Sequence, residues 1–304
     1  MFWTKLKRAG RDISHLWQIW LALLLLISLM FLSPALANAG LLQLGKEAVQ
    51  NQDYASAIQY FTQSIQQKDN PDAAYSNRCL TYLLMDSPHV AVKDCTTALQ
   101  LNPASTRVQF YRGLAYYRLA QYNEAISDLT QYLQQFPQDA RAYYNRGLAG
   151  FAAGSVEQAL ADYHQAVAYA STLAPLEMSN LYNDLGVAYL AQGELEAAIA
   201  ALDQAVALTE DDPRAYFNRG CVCHRQGNYA AALQDFERAL ALDPTHADAY
   251  LSRSLVRQQM GHYDGAIADL EAAIEYFQQR GDAKGVHQAK LRLQQVVRPA
   301  RVIG

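Results

Sequence analysis

The sequence predicts an all-α solenoid: seven antiparallel helix pairs stacked in series and closed by one further helix. Three observations carry that reading. Seven alanines, Ala57, Ala91, Ala125, Ala159, Ala198, Ala232 and Ala266, recur at intervals of 34, 34, 34, 39, 34 and 34 residues. A period in this range marks a stacked repeat. Small residues accompany each alanine at fixed offsets, and turn residues punctuate the windows where two helices must be separated.

Placing each alanine at position 20 gives windows 38–71, 72–105, 106–139, 140–173, 179–212, 213–246 and 247–280. Position 8 reads Gly45, Cys79, Gly113, Gly147, Gly186, Gly220 and Ser254, and position 27 reads Ser64, Ala98, Tyr132, Ala166, Ala205, Ala239 and Ala273. Positions 8, 20 and 27 are mostly small because two helices cross closely there. A larger side chain would force the axes apart, at roughly 1–3 kcal/mol. Large residues fill the space beside them: Tyr75, Tyr143, Tyr182, Tyr216 and Tyr250 at position 4, and Phe61, Leu129, Tyr163, Leu202, Phe236 and Leu270 at position 24. Gly154, Gly193, Gly227 and Gly261 at position 15, with Pro103, Pro137 and Pro244 at position 32, are the turn signals.

The stretches "AYYNRGLAGFAAGSVEQALADYHQAV" and "AYFNRGCVCHRQGNYAAALQDFERALALDP" resemble tetratricopeptide repeats at nearly every signature position, and the resemblance extends over residues 38–280. It implies a right-handed superhelix of helix pairs, with the first helix of each pair, helix A, lining a concave groove. It also implies a binding scaffold without catalytic residues of its own.

In chain order, residues 1–12 are basic, and no charged side chain stands between Ile13 and Gly45. The apolar heart, Ile19 to Leu32, is fourteen residues long, short of the about 20 a spanning helix needs. "SPALANAG" follows, with small residues in A-x-A spacing. This is the pattern of a secretory signal peptide over 1–37, with a signal anchor as the alternative. Window 1 is the least regular, as a terminal repeat with one solvated face should be. Windows 2 and 3 are regular; Pro88 falls early in helix B of window 2, where proline is tolerated. Window 4 carries five extra residues, read as helix B extended toward Thr172 and ended by Pro175. Windows 5 to 7 resume the strict spacing. After Arg280, Val286, Ala289, Leu293 and Val296 share one helical face and predict a capping helix within 281–304, with "RPARVIG" as a tail.

Net charge is −4; residues 1–37 hold four basic side chains against Asp12, which leaves −7 on the remainder. Such a surface argues against nonspecific nucleic-acid binding. Twenty tyrosines are many for 304 residues, and the repeat uses tyrosine for packing at positions 4, 11 and 17.

The resemblance places positions 2, 5, 6, 9, 12 and 13 of helix A on the groove. Window 3 offers Arg107, Phe110, Tyr111, Tyr117 and Arg118 there. Window 4 offers Arg141, Tyr144, Asn145 and Phe151, and window 6 offers Arg214, Phe217, Asn218, His224 and Arg225. Arginine and aromatic residues anchor interfaces. Arginines suit an acidic segment or a terminal carboxylate; pairing with acids on neighbouring helices is the competing role. Members of the family that bind chaperone tails use a five-residue clamp over three repeats. Here those places hold Leu42, Lys46, Asn77, Arg107 and Tyr111, of which Asn77 alone matches outright, so chaperone-tail binding is not expected.

Arginine at position 7 (Arg78, Arg112, Arg146, Arg219, Arg253) and aspartate at position 23 (Asp94, Asp128, Asp162, Asp235, Asp269) occur in the same five windows. Window 5 has Leu185 and Ala201 instead, losing both together. That co-occurrence predicts an ion pair within each repeat. Cys79 and Cys95 occupy interior positions of one window; small apolar packing is the ordinary role, and a bridge requires Cα atoms within about 7 Å. "CVCH" at 221–224 supplies too few ligands on one face for a structural zinc site. No motif for a cofactor or a catalytic centre is present. The expectation is a non-catalytic scaffold, exported across or anchored to a membrane rather than cytoplasmic, with a protein or peptide partner, acidic in character, in the groove. Its N-terminal segment would engage the membrane during export or as an anchor. A self-associating structural repeat is the first alternative and a glycan-binding or enzyme-accessory protein the second.

Overall fold

The computed structural model describes residues 40–303, with only the backbone described at Thr172 and at 298–303. The expected leader, 1–37, lies outside the described residues. Fifteen α-helices occur among those described. They are α1 (Leu41–Gln50), α2 (Tyr54–Gln66), α3 (Pro71–Leu84), α4 (Pro88–Leu101), α5 (Thr106–Arg118), α6 (Tyr122–Gln135), α7 (Ala140–Ala152) and α8 (Val156–Ala168). They continue with α9 (Pro175–Gln192), α10 (Leu195–Leu208), α11 (Pro213–Arg225), α12 (Tyr229–Leu242), α13 (Ala247–Gln259), α14 (Tyr263–Gln279) and α15 (Ala283–Ile303). The described residues form two compact units, divided between Ala115 and Tyr116.

In the first unit α1 pairs with α2 and α3 with α4, and α2 and α3 join the pairs. In the second, α7–α8, α9–α10, α11–α12 and α13–α14 are the pairs, and each packs on the next. The A helices α7, α9, α11 and α13 also touch one another in series, so they form one continuous layer. Helix α15 packs on α14. It buries Ala289 and Val296 beside Leu270 and Phe277, with Val286 and Leu293 half-buried on the same cluster. The capping helix therefore forms as expected, and it continues through the segment read as a tail to Ile303.

The small residues at position 8 make room for the ring or branched chain at position 24. A Cβ on Gly147 would lie 2.6 Å from Tyr163 Cε1, one on Gly186 2.5 Å from Leu202 Cγ, and one on Gly220 2.8 Å from Phe236 Cε1. Window 2 solves the same packing problem differently. Cys79 and Cys95 are fully buried, their Cα atoms are 5.4 Å apart, and their sulfurs are bonded. Position 15 needs a left-handed backbone to turn helix A into helix B. Gly154, Gly193, Gly227 and Gly261 supply it at φ of 79–84°, whereas Gln52, Asp86 and Ala120 adopt φ of 60°, 51° and 56° at the same place.

The extra residues of window 4 do not lengthen helix B. Helix α8 ends at Ala168, a 3-10 turn spans Ala170–Thr172, and Pro175 opens α9. Proline suits that first helical position because its missing N–H would have had no partner there. Glu177 then accepts a hydrogen bond from the Ala174 N–H at 2.9 Å. The insertion is a longer helix A, one turn ahead of the repeat start.

Candidate functional site

In the first unit, helices α3, α4 and α5 enclose a cavity of about 250 Å³ whose lining includes Ser76, Asn77, Asn102, Ser105 and Arg107. Arg107 is exposed. The Asn77 Nδ2 donates to the Ala73 carbonyl at 2.7 Å, and Asn102 Nδ2 to Asp72 Oδ2 at 3.3 Å. Phe110 and Tyr111 are half-buried and meet edge to face, with centroids 6.3 Å apart. Burial pushes the Tyr111 phenol up, and Arg107 partly counters it.

In the second unit the A-helix layer carries the remaining candidates. Arg118 and Arg225 are exposed; Arg225 Nη1 donates to the Leu190 carbonyl at 2.8 Å. That bond serves the C-terminal end of α9, where a positive charge is favourable. Arg141 is 59% exposed, with Glu177 at 3.9 Å. Arg214 is engaged through Nε and Nη2: it donates to Asp212 at 3.1 and 2.7 Å and to Asn180 Oδ1 at 2.6 Å. Burial pushes the Asp212 carboxyl up, but the hydrogen bonds and charge of Arg214 outweigh it and hold it below the usual carboxylate range.

The aromatic candidates have packing partners. Phe151 packs against the core around Leu160 and Tyr163. Phe217 lies 5.9 Å from Phe236 and 4.7 Å from His246, centroid to centroid. Asn145 Nδ2 donates to the Arg141 carbonyl at 2.7 Å, and His224 pairs with Gln259 at 2.8 Å. Burial pushes the Cys221 thiol up to about 12, far from a reactive thiolate. Among the described residues no group of three or more His, Cys, Asp or Glu stands where it could hold a metal ion, and no helix is long and apolar enough to cross a membrane.

A hydrogen-bonded seam crosses three successive repeats. Asn218 on α11 donates to Asn183 Oδ1 on α9 at 2.8 Å. Asn183 donates to Asp184 Oδ1 at 3.2 Å, and Tyr144 on α7 donates to Asp184 Oδ2 at 2.6 Å. Burial pushes the Asp184 carboxyl up, and the bonds from Tyr144 and Asn183 only partly offset it. Burial, then the nearby charge of Asp184, raises the Tyr144 phenol strongly. Asn180, Asn183 and Asp184 are absent from the candidates drawn from sequence. Their signal was positional: window 5 puts them at positions 2, 5 and 6, the same offsets that singled out windows 3, 4 and 6.

Profiles of the tetratricopeptide repeat match residues 112–175 and 183–247, and a second profile of the same repeat matches 224–291. A 58-residue stretch is 40% identical to the mitochondrial import receptor subunit TOM34 of Homo sapiens, covering 19% of each chain. A 78-residue stretch is 30% identical to a serine/threonine-protein phosphatase T of Aspergillus oryzae, covering 26% of this chain and 16% of that protein. The chain thus spans less than a fifth of the length of these curated relatives. A tetratricopeptide repeat protein from Parabacteroides merdae superposes over 84% of this chain and 97% of its own, with a TM-score of 0.61 at 17% identity. That likeness concerns the fold.

Proposed function

The chain belongs to the tetratricopeptide repeat family, and from that premise we propose that it is a non-catalytic scaffold that binds extended segments of partner proteins along its A-helix faces. The observation that carries this reading is the seam from Tyr144 through Asp184 and Asn183 to Asn218. It sets hydrogen-bonding side chains at groove positions of three consecutive repeats, on rigid helices. Asn183 is buried and Tyr144, Asp184 and Asn218 are half-buried, so the row holds the A-helix faces in a fixed arrangement on which an extended segment can dock at little ordering cost. Arg107 and Arg141 are exposed and add places for carboxylates of the partner.

The same proposal places the protein outside the cytoplasm, in assembly or maintenance of an exported or membrane-associated complex. What supports it is the fully buried Cys79–Cys95 disulfide, since such bonds form and persist in oxidising compartments. The basic start and short apolar run of residues 1–37 point the same way.

The test is crosslinking capture by the full chain from its own cells, beside a variant carrying Arg107→Glu and Arg141→Glu. A partner caught by the unaltered chain and lost from the variant supports groove binding. Equal capture by both moves the interface elsewhere, and recovery of further copies of the chain alone favours a self-associating structural repeat.

A further inference from the structure

Asp184 differs from the other acids sunk into this repeat stack. Asp94, Asp162, Asp235 and Asp269 each accept two hydrogen bonds from an arginine at 2.6–3.0 Å. Asp184 accepts only neutral donors, Tyr144 Oη and Asn183 Nδ2. Arg214 is near enough to influence it, but its guanidinium is held by Asp212 and Asn180. Among the described residues no cation lies within ion-pair distance of Asp184. An asparagine carbonyl would accept from Tyr144, but its amide would then face the Asn183 amide, so both bonds as placed use a carboxylate. Burial works against the charge, so its presence costs stability and calls for a compensating role. The Tyr117 phenol feels the same carboxylate, its own pKa raised first by burial and then by Asp184. Tyr144 and a carboxylate that accepts only neutral donors therefore meet on the A-helix layer of the second unit.

We propose that Asp184, held in place by the Tyr144 hydroxyl, receives a lysine or arginine side chain of the bound segment. The proposal rests on the groove-binding reading and names the charge of the residue seated at this point. The carboxylate supplies a charge with which no cation among the described residues forms an ion pair. The Tyr144 hydroxyl fixes the orientation of the carboxylate that the cation would meet. The segment would then be mixed in charge, cationic at Asp184 and anionic toward Arg141.

The experiment has two arms on the full chain. The first titrates Nα-acetyl-arginine amide against its neutral isostere Nα-acetyl-citrulline amide, following ring and backbone NMR signals of Tyr117, Tyr144 and Asp184. The expected result is shifts at these residues at least tenfold more readily saturated by the arginine compound, abolished in Asp184→Asn. Equal response to both compounds, or a preference that survives in Asp184→Asn, overturns the proposal. The second arm measures binding of acetylated decapeptides with Lys, Ala or Glu at the central position. A lysine preference lost in Asp184→Asn supports the proposal. Peptides that fail to bind, beside a positive first arm, would sink the groove reading and leave the cation pocket standing.

Discussion

The Arg146 guanidinium grips Asp162 through two hydrogen bonds, Nε to Oδ2 at 2.9 Å and Nη2 to Oδ1 at 2.7 Å. Its remaining nitrogen, Nη1, reaches back to Thr130 Oγ1 at 3.1 Å. Each partner lies sixteen residues away, one ahead and one behind. The same pattern recurs at Arg78, with Asp94 ahead and Thr62 behind, and at Arg219, with Asp235 ahead and Asp203 behind. Arg78, Arg146, Arg219 and Arg253 also stand over the tyrosine three residues earlier, at 5.3–5.6 Å. The arginine thus joins the two helices of its own repeat and ties that repeat to the preceding one.

Arg146→Leu should destabilise the chain by about 3–5 kcal/mol, because it leaves the Asp162 carboxylate buried without its cation and with only the 3.4 Å bond from Gln158 Nε2. Asp162 is 2% exposed, so water cannot replace the lost bonds. Window 5 already contains the apolar alternative, Leu185 with Ala201, both buried in one cluster. Arg146→Leu combined with Asp162→Ala should therefore recover most of the loss. Urea unfolding of the two variants checks this; a double variant as unstable as the single one would contradict it.

Gly220→Ala should cost about 1–3 kcal/mol through overpacking, since the new methyl group would meet the Phe236 ring at 2.8 Å. Ala120→Gly should act in the opposite direction, by about 1 kcal/mol, because it relieves a left-handed alanine at φ 56°. Thermal unfolding of both variants reads the signs directly.

With Cys79 and Cys95 bonded across a separation of 16 residues, replacing both by serine should cost about 3 kcal/mol. In protein isolated from its own cells and denatured without reductant, an alkylating reagent should label Cys221 and Cys223 only. Reaction of all four cysteines would remove the bond, and with it the main structural support for an oxidising location.

Burial raises the Asp184 carboxyl above the ordinary range. A group whose pKa rises on folding contributes stability below its unfolded pKa and loses that contribution as pH climbs through the folded value. The charged form is thus the disfavoured one: the unaltered chain should lose stability as pH rises, and Asp184→Asn should gain on it. That gain should accrue between roughly pH 4 and pH 7. Urea midpoints at the two ends of that range test this, and a difference between the two proteins that does not change with pH would contradict it.

Much of this protein was legible in its sequence, and the legible part is what closes within one helix pair. The small residue at position 8, the large one at position 24, and the arginine and aspartate at positions 7 and 23 all meet at a constant offset of sixteen residues. A helical hairpin of fixed length turns that offset into contact whatever the neighbouring repeats do. The Arg146–Asp162 pair could therefore be expected from co-occurrence alone. Tertiary structure decided what depends on stacking one pair against the next. Tyr144 and Asp184 are 40 residues apart, and Asn183 and Asn218 are 35 apart. Their meeting requires the spacing and rotation of successive A helices, which the insertion before window 5 alters locally. It also requires one particular set of side-chain rotamers. Arg214 and Phe217 show the same limit. Position placed them on the A-helix layer, but only packing determined that Asp212 holds the first and that Phe236 and His246 hold the second.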